Sequence, residues 1–481
     1  MRRVVAIAIA SACAIVWTGA LIPAASAHAA LVSSSPNDGT QLSTSPAAVT
    51  MTFSETPDPK LCVVHVLDSS GRGVEAGGVT NVPGNAKQLR IGVKPNLPDD
   101  VYTVAWRVVS QVDGHVTAGA FAFGVGVPAG PVRASTSVPT TPGPPPLSVI
   151  GKILLYAGLS LLVGAAATGS LAFRGDVPRR QALLTTTGGA SFLGAIAMLL
   201  AERATVGVSM STLLSSSAGH AYVWLVSVTL LVAVVAAVAA RRLSSTTLVL
   251  AGAVAAAAML VRVIGGHAAA AGTEWIQVAV QWLHFLSVGI WVGGFLPVLL
   301  LVLERRAAGA PTPVREVRRF SSMAAIGLTG VVVTGAVRAV SGMGLHEILH
   351  VFSTSYGTTL AIKVLVVAGL VSLGTVNRYR SIPRLDHDSV LFRRVISMEI
   401  VAAVVVFALT GTLTGFAPRP GAAAGAPKPS EVVATGADVA TTMMVRLVVT
   451  PGTPGRNAYR LTPTGYDTGA PVQATAVTLR F

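Results

Sequence analysis

The sequence is poor in cysteine and in charge, and both shortages restrict what the protein is. It has two cysteines among 481 residues, and Cys13 lies in an amino-terminal segment that we expect to be removed. Cys62 would then be the one cysteine left, which excludes an intrachain disulfide. Charged residues make up 11% of the chain and hydrophobic residues 52%. This composition excludes an ordinary soluble protein and indicates a membrane protein.

Acidic residues are outnumbered by basic ones, which gives a formal net charge of +15. This excess does not indicate nucleic-acid binding, because residues 28–148 hold seven Lys or Arg against eight Asp or Glu. The extra basic residues lie in loops between hydrophobic runs, where membrane topology explains them. The sequence also lacks a nucleotide-binding loop, so any transport is not driven by an ATPase module in this chain.

Residues 1–27 have the layout of an export signal. Arg2 and Arg3 precede an apolar run, and Ala25-Ser26-Ala27 has the small residues that signal peptidase accepts. Cleavage after Ala27 would make His28 the amino terminus, with its α-amino nitrogen and its ring Nδ1 placed to chelate one metal ion.

The exported segment has a single Asp-x-His sequence, Asp113-Gly114-His115. Residues two apart on a strand point to the same face, so Asp113 and His115 are candidate partners for His28. A set of nitrogen and carboxylate donors favours a tetragonal ion such as Cu(II). The alternative is that Asp-Gly forms a turn and His115 is an ordinary surface residue.

Short β-branched runs alternate with turn residues between His28 and about Val127, which predicts a β-sandwich or barrel of about 100 residues. The run Leu61–Leu67 contains Cys62 and His65. We interpret it as a strand buried on both faces, with Cys62 as an inert buried thiol. The alternative is that Cys62 is a soft Cu(I) ligand.

Eight hydrophobic runs of membrane-spanning length follow a Pro-rich linker. They lie near residues 149–173, 182–203, 221–240, 244–264, 276–303, 320–343, 357–377 and 395–415.

If the amino-terminal segment is exported, the loops after the odd-numbered spans are cytoplasmic. These loops carry fifteen arginines, and the outer loops up to residue 356 carry none. The positive-inside rule therefore predicts the same orientation as the signal peptide. We expect a multi-pass plasma-membrane protein whose amino-terminal domain and carboxyl terminus are extracytoplasmic.

Ionisable residues within spans are costly and are therefore functional candidates. Glu202, Arg338 and Lys363 fall toward the outer ends of their spans, and Glu399 lies near an inner end. This distribution predicts a polar vestibule that opens outward. The alternative for Arg338 and Lys363 is that their side chains only reach to the membrane interface.

His284 is the one histidine predicted within a span. It belongs to a stripe with Gln277, Gln281, Ser287 and Trp291 on one face of the fifth span. Such a polar stripe must face protein or water, so His284 is a candidate for the transport pathway. The alternative is a structural histidine that ties helices together.

A further motif points to a different chemistry. His346-Glu347-Ile-Leu-His350 matches H-E-x-x-H, the zinc motif of metalloproteases. A hydrolase also needs a third zinc ligand. The residues directly after His350 lead into the next span, so the nearest downstream region does not supply that ligand. We therefore expect no enzymatic activity and treat His346 and His350, with His267 in another outer loop, as weaker metal candidates.

Several of these stretches resemble known families. His28-Ala-Ala-Leu-Val-Ser-Ser-Ser-Pro36, Phe53-Ser54-Glu55 and Val112-Asp113-Gly114-His115 resemble the CopC family of exported copper-binding domains. The resemblance implies a Cu(II) site at His28, Asp113 and His115 on a small antiparallel sandwich of immunoglobulin-like or cupredoxin-like type.

The membrane part resembles CopD, the membrane partner of CopC. The resemblance rests on the run Trp282–Gly294, which contains His284, and on Lys363 after Tyr356-Gly357. The two parts are joined in one chain, as in the YcnJ-type fusions.

The whole sequence thus predicts an exported all-β domain, an eight-helix bundle and a short β-rich end. Strands are expected at Met443–Thr450, Asn457–Leu461 and Val472–Phe481 in that last segment, which is either incomplete or packed on the first domain. The expected divisions are 1–27 signal peptide, 28–127 copper-binding domain, 128–148 linker, 149–415 membrane domain, 416–442 linker and 443–481 terminal segment.

We expect this protein to bind Cu(II) outside the membrane and to import copper. Expected partners are the copper ion, the lipid bilayer, an extracytoplasmic copper donor and a cytoplasmic acceptor, with no nucleic acid. The alternatives are copper resistance by sequestration without transport, and a membrane zinc metalloprotease that uses His346, Glu347 and His350.

Overall fold

A computed structural model describes the chain over thirteen stretches. These are residues 29–111, 114–129, 143–175, 177–242, 244–265, 274–343, 352, 355–387, 389–414, 432–438, 443–450, 458–465 and 472. The chain forms two compact units, residues 1–421 and residues 422–481.

The first unit begins with eight strands in two four-stranded sheets. The strands are β1 Leu31–Ser35, β2 Gln41–Leu42, β3 Ala48–Phe53, β4 Val63–Leu67, β5 Glu75–Val82, β6 Asn85–Val93, β7 Asp100–Val109 and β8 Val116–Val125. One sheet has the order β1-β3-β6-β5 and the other β2-β8-β7-β4. All pairs are antiparallel except β2 and β8, which are parallel.

The sandwich forms because strand residues alternate between core and surface. In β3, Val49, Met51 and Phe53 are buried, whereas the residues between them are partly exposed. Phe53 meets Trp106 of the other sheet edge to face, with ring centroids 5.5 Å apart. Such a contact joins the inner faces of the two sheets and adds to their apolar burial.

The strand that contains Cys62 differs from the expectation. Strand β4 begins at Val63, and its burial alternates, with His65 exposed and Val64 and Val66 buried. It is therefore not buried on both faces, because one face of its sheet packs on the other sheet and the opposite face is exposed at this strand. Nδ1 of His65 lies 3.0 Å from Oε1 of Glu75 on this exposed face. This contact with a carboxylate gives His65 a structural partner in the same domain.

The helical part confirms the predicted bundle: within the described residues, eight helices are long and apolar enough to cross a membrane. The helices are α1 Pro146–Ala167, α2 Arg180–Val206, α3 Met210–Leu214, α4 Ser217–Arg241, α5 Ser245–Ile264, α6 Glu274–Trp291, α7 Phe295–Ala307, α8 Val314–Met343, α9 Ser355–Val376 and α10 Val390–Leu413. Helices α6 and α7 form one span that breaks before Phe295, and α3 is a short surface helix.

Small residues let α6 approach α1 closely. A Cβ added to Gly289 would lie 2.8 Å from Cγ1 of Val163, and one added to Gly293 would overlap the carbonyl oxygen of Ser160. The Gly289-x-x-x-Gly293 pattern therefore packs α6 against α1, as small residues do in membrane helices. This contact fixes the helix that carries His284.

The second unit contains a three-stranded antiparallel sheet in the order β11-β10-β9. Its strands are β9 Val432–Asp438, β10 Met443–Thr450 and β11 Ala458–Gly465. Strands β10 and β11 match the prediction, whereas β9 lies in the segment expected to be a linker. Antiparallel pairing with β10 turns this β-branched stretch into a strand. The strand expected at 472–481 lies outside the described residues except for Val472.

Candidate functional site

The Asp113-Gly114-His115 sequence lies in the connection between β7 and β8. Ser110 holds this turn together, because its N–H donates to the carbonyl oxygen of His115 at 3.0 Å and its own carbonyl accepts from Gly114 at 3.0 Å. Gly114 has φ +75°, a left-handed conformation that favours glycine. Asp113 itself lies outside the described residues.

His115 points toward the membrane helices. Its Nε2 lies 2.8 Å from the carbonyl oxygen of Thr414, at the end of α10. A carbonyl only accepts, so Nε2 carries the hydrogen, and in the neutral ring Nδ1 carries the lone pair. Metal-ligating histidines commonly donate their other ring N–H to a carbonyl in this way. The bond therefore fixes the orientation of the His115 ring, and the role of His115 as a ligand stays a prediction.

His28 lies outside the described residues, but the chain directly after it does not. The carbonyl oxygen of Ala29 accepts a 2.8 Å hydrogen bond from Oγ1 of Thr117, and Ala29 is fully buried. Thr117 is two residues from His115. Ala29, the first described residue, is thus bonded to a strand residue two positions after His115, and the meeting of His28 with Asp113 and His115 stays a prediction.

The sandwich is docked on one end of the helix bundle by polar contacts. Arg107 donates from Nη2 to the carbonyl oxygen of Val206 at 2.8 Å, and Lys60 donates from Nζ to that of Ser215 at 2.8 Å. Oδ2 of Asp58 accepts from the backbone N–H of Ser217 at 2.9 Å. These contacts bond the sandwich to the carbonyl end of α2 and to the start of α4.

Apolar side chains fill the space between these contacts. The buried residues of this cluster are Leu61, Val109 and Val116 of the sandwich and Val206, Leu213 and Ala218 of the helical part. Their burial makes the docking a packed interface rather than a tether.

Glu202 of α2 lies close to Gly114 in the turn between β7 and β8. A Cβ placed on Gly114 would be 3.2 Å from Oε1 of Glu202 and 3.7 Å from Oε2. Oε2 accepts a 3.1 Å hydrogen bond from the hydroxyl of Tyr222 on α4. Gly114, Tyr222 and Arg262 line one cavity of about 30 Å³ between the turn and the helix ends, enough for a water molecule or an ion.

His284 faces α8, as its polar stripe predicted. Its Nδ1 lies 2.8 Å from Oγ1 of Thr334, and that hydroxyl donates to the carbonyl oxygen of Gly330. Since the single hydroxyl hydrogen is used, Thr334 accepts from Nδ1–H. The neutral ring then carries its lone pair on Nε2, the nitrogen with which it would bind a metal ion.

Two cations lie near this histidine. The charges of Lys363 on α9 and Arg338 on α8 both act on the ring of His284. This grouping brings together three of the predicted pathway residues from three helices. The sequence did not reveal Thr334, because a threonine in an apolar helix gives no signal of its own.

Glu399 is buried farther from the sandwich. Its Oε2 accepts a 2.6 Å hydrogen bond from Nδ2 of Asn377. Asn377 is the first residue of the π-helical turn Asn377–Ser381, which follows α9. π-Helical turns are frequent at functional sites. Asn377 was not identified from the sequence, because its role depends on this contact between helices.

Cys62 is buried, with Sγ 3.5 Å from the backbone nitrogen of Val109. Burial is the main cause that raises the pKa of its thiol to about 12. The protonated thiol is a poor ligand and a poor nucleophile.

The weaker metal candidates His267, His346 and His350 lie outside the described residues, as does Glu347. Among the residues that are described, no three His, Cys, Asp or Glu side chains come together as a metal site. That statement does not cover two of the three predicted Cu(II) ligands, because His28 and Asp113 lie outside the described residues.

Two protein-family models match the chain. The CopC domain model covers residues 31–126, and the model described as Copper resistance protein D, CopD, covers residues 314–413. The first range contains the sandwich with His115, and the second contains α8 to α10 with Arg338 and Lys363. His284 and Glu202 precede the second range.

Copper transport protein CutJ of Bacillus subtilis (strain 168) is 25% identical over 472 residues, 93% of this chain and 83% of CutJ. Protein YobA of Escherichia coli (strain K12) is 32% identical over 114 residues, 24% of this chain and 91% of YobA. The crystal structure of CopC from Methylosinus trichosporium OB3b has 31% sequence identity and covers 20% of this chain and 93% of that one, with a TM-score of 0.19.

Proposed function

Because this chain joins a CopC domain to a CopD domain and so belongs to the copper-handling family that these domains define, we propose that it binds Cu(II) and imports copper. The Cu(II) site consists of the amino-terminal nitrogen and Nδ1 of His28, a carboxylate oxygen of Asp113 and Nδ1 of His115. Copper is the cargo of the protein.

The observation that carries this proposal is the hydrogen bond from Thr117 to Ala29. It bonds Ala29, the residue after His28, to Thr117, which is two positions after His115 in the sequence, and this supports a chelating amino terminus beside the turn. A mixed nitrogen and oxygen donor set suits Cu(II). The contact of His115 with Thr414 supports delivery to the membrane domain rather than storage alone.

We assign passage through the bilayer to His284. A bare ion in hydrocarbon is prohibitively unfavourable, so copper must meet ligands there. His284 offers Nε2, and Thr334 fixes the ring. Arg338 and Lys363 line the same region and set its charge, and Glu202 lies at the entrance.

Import places the sandwich outside the cell and copper movement toward the arginine-rich helix ends. The fifteen arginines of those loops support this orientation by the positive-inside rule. The other candidate function, sequestration without transport, uses the same exterior site but needs no copper ligand within the membrane.

The test is copper uptake by cells that carry or lack the gene, with intracellular and cell-surface copper measured separately. Import predicts more intracellular copper in cells with the protein, and His284→Ala should abolish that gain. Sequestration predicts surface copper alone, with no effect of His284→Ala. We also propose that the protein is not an enzyme, and a loss of peptidase activity in Glu347→Gln would contradict this.

A further inference from the structure

We propose that Glu399 is a proton-binding site that exchanges protons with the aqueous phase at the arginine-rich end of the helix bundle, and that copper leaves the bundle when its carboxylate is ionised. This assignment rests on the proposed function, which places that end in the cytoplasm. It makes copper import respond to the pH inside the cell.

The position of Glu399 is the first argument. The residue is 3% exposed within α10, and an ionised carboxylate buried in a membrane helix is costly. Its Oε2 accepts the 2.6 Å hydrogen bond from Nδ2 of Asn377, and a Cβ added to Gly374 of α9 would lie 3.4 Å from Oε1. Within the described part of the chain Oε1 has no hydrogen-bond partner. A proton on Oε1 therefore leaves the bond to Asn377 intact.

The charge around Glu399 is the second argument. Asn377 is a neutral amide, which holds the carboxylate without cancelling its charge, and none of the ion pairs among the described residues includes Glu399. Desolvation favours the neutral form of a carboxyl group that has no cation partner. The charged side chains of the elements that pack against α10 are exposed or have contacts elsewhere. They are Arg378 of the π-helical turn, which donates to the carbonyl oxygen of Ser321, Lys363 of α9, which lies near His284, Lys152 of α1, which packs near Gly411, Glu304 of α7, which pairs with Arg179, and the exposed Arg305, Arg306 and Arg380.

Two buried polar atoms beside the carboxylate are the third argument. Asn377 and Ser381, the first and last residues of the π-helical turn, are 6% and 1% exposed. Among the described residues, Oδ1 of Asn377 and Oγ of Ser381 have no hydrogen-bond partner. Buried polar atoms are nearly always hydrogen-bonded, so this pair indicates a ligand that donates and accepts hydrogen bonds, as water and hydronium do. The turn leads from Glu399 toward the loop after α9 and thus supplies the route of the proton.

The charges at this end of the bundle explain the effect on copper. The loops there carry fifteen arginines, and guanidinium groups repel a cation that leaves the bundle. An ionised Glu399 offsets part of this positive charge, whereas a protonated one does not. In the exchange, a proton from the inner aqueous phase bonds to Oε1 and later returns to that phase, with no change in oxidation state.

The test measures copper uptake by the full-length protein in proteoliposomes whose inner pH is set by a trapped buffer. We expect wild-type uptake to fall as the inner pH is lowered, by up to about tenfold per pH unit for a single site. Glutamine at position 399 keeps an oxygen for Asn377 but is never ionised. Uptake by Glu399→Gln should therefore be about tenfold lower than that of the wild type at alkaline inner pH, and independent of inner pH. Glu399→Asp keeps a carboxyl group and should keep the pH dependence.

Infrared spectroscopy measures the proton itself, without copper. A pH titration of the wild type should show a protonated-carboxyl band that Glu399→Gln lacks. Glu304→Gln is the matched control, because Glu304 lies at the same end of the bundle and its Oε1 accepts a 2.9 Å hydrogen bond from the backbone N–H of Arg179, which glutamine retains. This control should match the wild type in both measurements.

Uptake is normalised to the amount of protein in the membrane. Wild-type uptake and pH dependence in Glu399→Gln would overturn the assignment and leave Glu399 as a structural tie between α9 and α10. An unchanged carboxyl band in Glu399→Gln, or pH-independent uptake by Glu399→Asp, would also overturn it. A wild type that shows the band but imports no copper would instead overturn the proposed function, and with it the effect on copper, while the proton site stands.

Discussion

The imidazole of His115 donates from Nε2 to the carbonyl oxygen of Thr414 at 2.8 Å, although 299 positions of sequence separate the two residues. The bond joins the turn between β7 and β8 of the sandwich to the end of α10. It places the ring hydrogen on Nε2, because a carbonyl oxygen only accepts. One contact thus couples the orientation of a predicted copper ligand to the helix bundle.

The role of His115 is tested by His115→Asn in the full-length protein. We expect the Cu(II) affinity to fall by about tenfold or more, because one nitrogen ligand is lost. Copper titration followed by electron paramagnetic resonance measures this. His65→Asn is the matched control, as His65 is exposed on the same domain and pairs with Glu75. Equal affinities for the two variants would exclude His115 as a ligand.

The chelating amino terminus is tested by one alanine inserted between Ala27 and His28. The insertion converts the amine of His28 to an amide, which removes one ligand and the chelate ring. We expect weaker Cu(II) binding and a changed electron paramagnetic resonance spectrum. Amino-terminal sequencing shows which residue begins the mature chain. Identical spectra from correctly processed wild-type and extended proteins would show that the terminus is not a ligand.

The membrane step is tested at His284 and at the residue that orients it. His284→Ala should abolish copper uptake without changing Cu(II) binding outside or the amount of protein in the membrane. Thr334→Val removes the acceptor for Nδ1–H and should lower uptake about tenfold. Thr329→Val is the control, because Thr329 lies on the same helix and its hydroxyl donates to the carbonyl oxygen of Ala325 one turn earlier in that helix. Lower protein levels with normal uptake per molecule would indicate a structural histidine instead.

The charge of Lys363 is expected to slow copper entry. The ammonium group of Lys363 and the copper ion are both positively charged and repel each other. Lys363 lies near enough to His284 for its charge to act on that ring. Lys363→Gln should therefore increase the uptake rate about severalfold, whereas Lys363→Arg keeps the charge and should not. Initial rates of copper uptake at several concentrations measure the effect. A loss of uptake in Lys363→Gln that Lys363→Arg restores would show that the positive charge is required.

Cys62 is expected to take no part in copper handling. With a pKa of about 12, roughly one thiol in ten thousand is ionised at pH 8. A thiol reagent should therefore react slowly with the folded protein, and the rate should rise about tenfold per pH unit below pH 12 while the fold is intact. Cys62→Ala should retain normal uptake. Rapid modification at pH 8, or lost uptake in Cys62→Ala, would contradict this.

Much of the architecture followed from sequence patterns. All eight spans were predicted, with ends that differ by at most seven residues, because a bilayer requires a long apolar stretch and the loops between them are polar. The β-branched runs between His28 and about Val127 predicted the sandwich as a whole. Strands β1, β2 and β5 give no such signal, since the Ser-rich, very short or Gly-containing stretches that form them depend on pairing with neighbours.

The sequence by itself determined which residues are candidates for metal chemistry: His28 after the predicted cleavage, the Asp113–His115 motif, and the ionisable residues Glu202 and His284 within apolar spans. These follow from composition and spacing, because the free energy of charged groups in a membrane depends mainly on their depth. Tertiary structure alone decided which of them meet. The contacts of His115 with Thr414, of Glu202 with Gly114 and of His284 with Thr334 join residues 50 to 299 positions apart, and packing between elements, which no local pattern encodes, brings such residues together.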